Sequence, residues 1–164
     1  MFLGDRADAG LMSLFGKGST SSSTNNEHVD TSTMYRMNKN PRGVAVIINN
    51  REFLRSSGMQ NYPRNGTDVD RDKLKSLFQK LLFDVRVYDN QRCYEIRRKL
   101  KELAAMDYSN YNAVIFTMLS HGEEGVIYGI DEKMEIKQIT EYFKGKSFAG
   151  KPKIFFFQAC RGRS

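Results

Sequence analysis

The chain has two cysteines and two histidines in 164 residues. Two thiols, Cys93 and Cys160, cannot build a disulfide framework, so a reducing compartment is the default and the cytoplasm is the expected location. So few cysteines and histidines form no metal-ligating cluster, and neither a metal ion nor another cofactor is expected. Long apolar runs are missing too. Residues 113–119 are among the longest, far short of the roughly 20 residues of a membrane helix, so no membrane partner is expected. No basic region followed by an apolar core opens the sequence, so no secretory signal is visible. Phe at position 2 excludes the myristoylation pattern.

What the sequence does contain is a globular composition, with 40% hydrophobic and 12% aromatic residues. The length suits one domain with a real core. The formal net charge of +7 admits nucleic acid, an acidic surface or an acidic substrate as partners. The densest basic stretch, Arg97, Arg98, Lys99 and Lys101, reads as the solvated face of a helix, so nucleic acid is not expected as a partner. Residues 1–34 differ from the rest: residues 16–26 are rich in Gly, Ser, Thr and Asn and cannot build a core, which predicts a disordered leader. Gly16-Lys17 fails as a phosphate loop, because Leu11 stands where the first glycine belongs and Gly18 follows the lysine.

The folded part, 35–164, alternates strand and helix patterns. A β-branched run over 43–50 bounded by turn residues predicts a buried strand. After a loop rich in Gly, Ser, Asn and Pro, Thr67 or Asp68 can cap a helix reaching about Leu82, with Val69, Leu74, Leu77, Phe78, Leu81 and Leu82 at helical spacing. Val85, Val87 and Tyr88 suggest a second strand. A basic amphipathic helix follows over 94–106, then a third strand over 113–119. A small hairpin from 126–129 and 134–136 precedes a helix over 137–143. The last strand is Ile154-Phe155-Phe156-Phe157, after Pro152. Strands alternating with helices predict an α/β fold with a mostly parallel sheet covered on both faces. In such sheets sites form beyond the carboxyl ends of the strands, which puts 120–124 and 160–162 on one edge.

Two chemically useful residues meet at that edge. His28 lies in the leader, so an imidazole partner for Cys160 within the fold must be His121. The thiolate is the nucleophile, and a neighbouring histidine can take its proton and return it to a leaving amine. A tetrahedral oxyanion needs fixed N–H donors, for which Gly122, with no side chain in the way, and Cys160 itself are suited. Taken singly, a cysteine at a strand end is usually core packing and a histidine beside glycine a turn residue. It is their joint placement at two strand ends that points to Cys–His catalysis. Cys93 has no comparable setting and reads as structural.

Gln158-Ala159-Cys160-Arg161-Gly162 resembles the caspase nucleophile signature, which has a histidine roughly 50 residues upstream; here His121 is 39 residues upstream. Ser120-His121-Gly122-Glu123-Glu124-Gly125 is similar to the caspase histidine motif, and Ile47-Ile48-Asn49-Asn50 and Arg64-Asn65-Gly66-Thr67-Asp68-Val69-Asp70 are further matching blocks in the family's order. Together they span about 35–162 and resemble the large subunit of an executioner-type caspase. The resemblance implies a three-layer α/β/α sandwich, incomplete without the small subunit. It implies a cysteine endopeptidase of apoptosis that cleaves after aspartate through an acyl-enzyme, made as a zymogen. It puts Arg64 and Gln158 in the aspartate pocket, where a guanidinium can meet the substrate carboxylate bidentately. It also implies a loop carbonyl that steadies the histidine; counting back from Arg64 suggests Tyr62.

The same resemblance gives the leader a role. Glu27-His28-Val29-Asp30 followed by Thr31 resembles a caspase cleavage site, with Asp30 at the cut and within reach of a protease. The implied partners are protein substrates with aspartate at the cleavage site, a caspase small subunit and a second caspase protomer. The small subunit would complete the aspartate pocket and the groove. The alternative reading is a truncated, non-catalytic caspase-like chain that binds and modulates full-length caspases.

Overall fold

Seven consecutive residues, Gly43–Asn49, are all buried. Val44, Val46 and Ile48 turn to one face of their strand and Ala45 and Ile47 to the other, so a run apolar on both faces has to be covered on both. The computed structural model describes residues 34–161, with side chains through 159, and it provides that cover. Strand β1 (Gly43–Asn49) lies between β2 (Phe83–Asp89) and β3 (Ala113–Glu123), parallel to both. The register runs from Gly43 opposite Phe83 and Ala113 to Asn49 opposite Asp89 and Leu119. Strand β6 (Lys153–Arg161) runs parallel to β3. The hairpin of β4 (Val126–Tyr128) and β5 (Lys133–Glu135) is antiparallel and meets β3 at Gly122 and Glu123, past the point where β1 ends. The order is β2-β1-β3-β4-β5, with β6 paired to β3.

Helices take both faces. Cys93, Ile96, Leu100 and Leu103 of α2 (Cys93–Ala105) and Ile139 of α3 (Ile136–Glu141) join Val44, Val46, Ile48, Val114, Phe116 and Met118 in one core cluster. Phe155 and Phe157 pack against that cluster. Phe156 points the opposite way and stacks on Phe78 of α1 (Thr67–Lys80), with ring centroids 6.2 Å apart. Alternate residues of β6 thus serve different layers, and the result is the expected α/β/α sandwich around a mostly parallel sheet.

The helix boundaries differ from the sequence pattern in instructive ways. The N-cap of α1 is Gly66, at φ 87°, a left-handed conformation that suits glycine, and not Thr67 or Asp68. Those two side chains are engaged elsewhere, as described below. Leu81 and Leu82 fall beyond the helix, and Val69 is 56% exposed, so the buried stripe of α1 is narrower than the apolar spacing suggests. The backbone N–H of Arg92 donates to Glu95 Oε2 at 2.8 Å, which fixes the start of α2 at Cys93. The basic residues of α2 are dispersed over its outer face: Lys99 sits 4.3 Å from the Tyr88 ring centroid, and Arg97 and Arg98 pair with Glu132 and Glu102. Ile136, expected in the hairpin, instead opens α3. The leader with Gly16-Lys17 and Asp30 lies outside the described residues.

Candidate active site

Because β3 and β6 are parallel, their carboxyl ends share one edge of the sheet. The Cα register partner of His121 is Cys160, and that of Gly122 is Arg161. Both strands run further than their apolar runs: β3 continues through Ser120, His121 and Gly122 to Glu123, and β6 through Gln158, Ala159 and Cys160 to Arg161. His121 and Cys160 therefore lie within the paired strands, where the ladder fixes the backbone, and not beyond the carboxyl ends at which the sequence pattern places them. The polar residues are carried along because ladder hydrogen bonds come from the backbone of both strands.

His121 is half-buried, and Nε2 lies 2.7 Å from the carbonyl oxygen of Tyr62. A carbonyl only accepts, so Nε2 carries the proton, and in the neutral ring Nδ1 is the basic nitrogen. The carbonyl counted back from Arg64 thus meets the histidine. The other restraint is Phe53, whose ring centroid lies 4.6 Å from that of the imidazole at a tilt of 43°. Phe53 is buried, and the next residue, Leu54, is pinned by its N–H to the Ile130 carbonyl at 2.7 Å. Gly122 has a packing reason beside its expected one. A Cβ there would lie 2.5 Å from Ala159 Cβ and 2.8 Å from the Val126 carbonyl oxygen.

Arg64 is 8% exposed, in the loop before α1. Its Nη1 donates to the Asn50 carbonyl at 3.1 Å and to Thr67 Oγ1 at 2.8 Å. Asn50, fully buried, also donates its backbone N–H to the Leu119 carbonyl and its side-chain amide to the Tyr128 carbonyl at 3.0 Å. Gln158 is half-buried in β6, and its register partner is that same Leu119. Asn50 therefore joins the arginine loop to the strand on which His121 stands. Position 160 is described by its backbone alone. Asp30 lies outside the described residues.

Sequence reading overlooked Phe53, Ser120, Thr67 and the two asparagines as parts of this site. Ser120 Oγ donates to the Tyr128 carbonyl at 2.6 Å and lies within reach of the Asn50 amide, so β3 and the hairpin are joined directly beside His121. Asn49, Asn50, Thr67 and Ser120 stand inside the blocks that resemble the family, but nothing in the sequence says which side chains pair, and Phe53 lies outside every block. Cys93 behaves as the structural thiol expected: it is fully buried, it donates to the Glu132 carbonyl at 3.3 Å, and burial pushes its pKa up to about 11. Among the described residues no three or more His, Cys, Asp or Glu side chains converge as metal ligands, and no helix is long and apolar enough to cross a membrane.

A family model described as "Caspase domain" matches residues 42–164. Caspase-3 of Mesocricetus auratus is 43% identical over 131 residues, covering 78% of this chain and 47% of that protein. Caspase-7 of Gallus gallus is 43% identical over 146 residues, covering 87% of this chain and 47% of that protein. Caspase-3 of Mus musculus is 39% identical over 131 residues, with 78% and 47% covered. The chain thus spans about half the length of the curated relatives it matches. By the family match, these identities and the strand-end placement of its histidine and cysteine, the chain belongs to the caspase family and is executioner-like.

Proposed function

We propose that this chain is the nucleophile-bearing part of an apoptotic cysteine endopeptidase that cleaves after aspartate. The observation that carries this reading is the register pairing of His121 with Cys160 at the carboxyl ends of parallel strands, with Nε2 of the histidine held by Tyr62. In this reaction His121 Nδ1 takes the Cys160 proton. The thiolate sulfur attacks the carbonyl carbon of the substrate aspartate, forming a C–S bond while the carbonyl oxygen becomes an oxyanion. The backbone N–H groups of Gly122 and Cys160 stabilise that oxyanion. As it collapses, the C–N bond breaks and the imidazolium gives its proton to the leaving amine. Water, deprotonated by the same histidine, then hydrolyses the thioester. Arg64 and Gln158 read the substrate carboxylate. In this proposal the chain acts in the cytoplasm as a processed zymogen, cut after Asp30.

Its macromolecular partners would be a caspase small subunit and a second protomer. In support, β6 pairs with β3 alone among the described strands and carries half-buried Ile154 and Phe156, an edge that another strand can cover. The test is co-expression of the chain with a caspase small subunit, followed by assay on peptides ending in Asp or Asn before the reporter group. Asp-selective cleavage is expected, falling by roughly 10³-fold or more in Cys160→Ala, with Thr31 the new amino terminus after exposure to an active caspase. Equal activity of Cys160→Ala would overturn the catalytic assignment. Tight association with full-length caspases and no turnover would favour the modulator reading instead.

A further inference from the structure

Thr67 and Asn49 are almost completely buried, at 3% and 1% exposure, and take no part in the chemistry proposed above. Polar side chains buried that deeply need partners, and theirs form one line that ends on Arg64. Thr67 Oγ1 donates to Asn49 Oδ1 at 2.8 Å. Asn49 Nδ2 donates to Asp68 Oδ1 at 2.9 Å and to Asp89 Oδ1 at 3.1 Å. With two carboxylates around its nitrogen, the Asn49 amide has one orientation, and its oxygen must face Thr67. The single hydroxyl proton of Thr67 is therefore committed to Asn49, and Thr67 presents a lone pair to Arg64 Nη1 at 2.8 Å. Behind this line, Asp68 and Asp89 are themselves held by Arg51 and Arg71.

We propose that Thr67, oriented by Asn49, is a positioning residue for Arg64, fixing the guanidinium in the attitude in which it reads a substrate carboxylate. This rests on the aspartate-reading role proposed for Arg64. An arginine side chain has much rotamer freedom, and a guanidinium ordered before substrate arrives spares binding that loss. The Asn50 carbonyl supplies a second fixed acceptor on the same nitrogen at 3.1 Å, so Nη1 is held from two sides.

Thr67→Val removes the acceptor at nearly constant volume, and Thr67→Ser keeps it while losing the methyl. In the chain assembled with a caspase small subunit, Thr67→Val should raise KM for an Asp peptide about tenfold, the effect of losing a buried hydrogen bond to a charged group. Its kcat should stay within about twofold and Thr67→Ser should keep the parent KM, because the loss falls on binding. A purely structural role would lower the melting temperature of Thr67→Val and leave KM alone. A second readout needs no activity: the Arg64 Nη resonances in ¹⁵N NMR spectra of the chain should be individually resolved in the parent and Thr67→Ser and averaged in Thr67→Val. A parent assembly that does not cleave after Asp overturns the proposed function, while the NMR comparison still reads the hold on Arg64. A cleaving parent with unchanged KM in Thr67→Val, or unchanged Arg64 resonances, overturns the positioning inference.

Discussion

At position 122 three strands converge, and the residue is crowded from two directions. Ala159 approaches from β6 and the Val126 carbonyl from β4, each closer than a real Cβ permits. The carbonyl is the harder obstacle, because backbone held in a ladder cannot swing aside as a side-chain tip can. Gly122→Ala should therefore destabilise the protein by about 1–3 kcal/mol, the range for overpacking a filled site, measured by urea unfolding. Adding Ala159→Gly should recover the part due to the methyl–methyl clash and leave the part due to Val126. Such coupling is expected for side chains in contact, and strictly additive effects of the two substitutions would show that they do not share this space. The same crowding explains why a glycine proposed for oxyanion binding cannot be assigned from chemistry alone: packing demands it independently.

The elements are joined by a few large side chains, and the contact between α1 and β6 is the clearest case. Phe78 is 1% exposed and stacks on Phe156, so it ties α1 to the strand that carries Cys160. Phe78→Ala should lower stability by about 3–5 kcal/mol, as large core truncations do, whereas Val69→Ala on the exposed side of the same helix should stay within about 0.5 kcal/mol. Equal losses in chemical denaturation would mean that α1 is docked by another face. Much of this layer was legible in the sequence. The β-branched run of β1, the helical spacing of Leu74 and Phe78, and the order of elements follow from periodicities of two and 3.6 residues. What periodicity could not reach were features made by long-range pairing. The extension of β3 through Ser120, His121 and Gly122 depends on β6 and β4 supplying partners. The hydrogen-bonded line from buried Arg64, Thr67 and Asn49 out to exposed Asp89 joins residues from a loop, a helix start and two strands. Motif resemblance located Arg64, and strand-end placement located His121 independently of it; their partners, Tyr62 and Phe53 for the histidine and Asn50 and Thr67 for the arginine, come from the folded structure.

For the whole molecule, the titrating groups bound stability on both sides of neutral pH. Asp68 is held below its ordinary 3.8 chiefly by the Asn49 amide, with Arg71 and Arg51 adding to it. Asp107 is lowered by the Ser109 N–H, Glu123 by Lys133, and Glu141 by Lys144. Folded values below the unfolded ones mean stability that is present above about 3.8–4.5 and lost as pH falls through the folded values. On the alkaline side burial raises Cys93 from 9.0 to about 11 and Tyr108 from 10.0 to about 12. The unfolded chain then releases those protons first, so stability is complete below about 9 and is lost as pH rises toward 11 and 12. The two limbs differ in kind. With a net charge of +7 at neutrality, protonating carboxylates makes the chain still more positive, and self-repulsion adds to the acid loss. Near the pI of about 9.4 the net charge is small, so the alkaline loss begins with the buried Cys93 and Tyr108, and Lys133 and Tyr128, both raised and paired with Glu123, add to it. Urea midpoints measured from pH 3 to pH 11 should therefore trace a plateau with two falling limbs. Raising ionic strength from roughly 0.01 to 0.1 M shortens the screening length from about 30 to 10 Å, which should shift the acid limb to lower pH and move the alkaline limb less. Cys93→Ala and Tyr108→Phe should flatten the alkaline limb only. An alkaline limb that moved with salt as far as the acid one would place its origin in surface charge and not in the buried thiol and phenol.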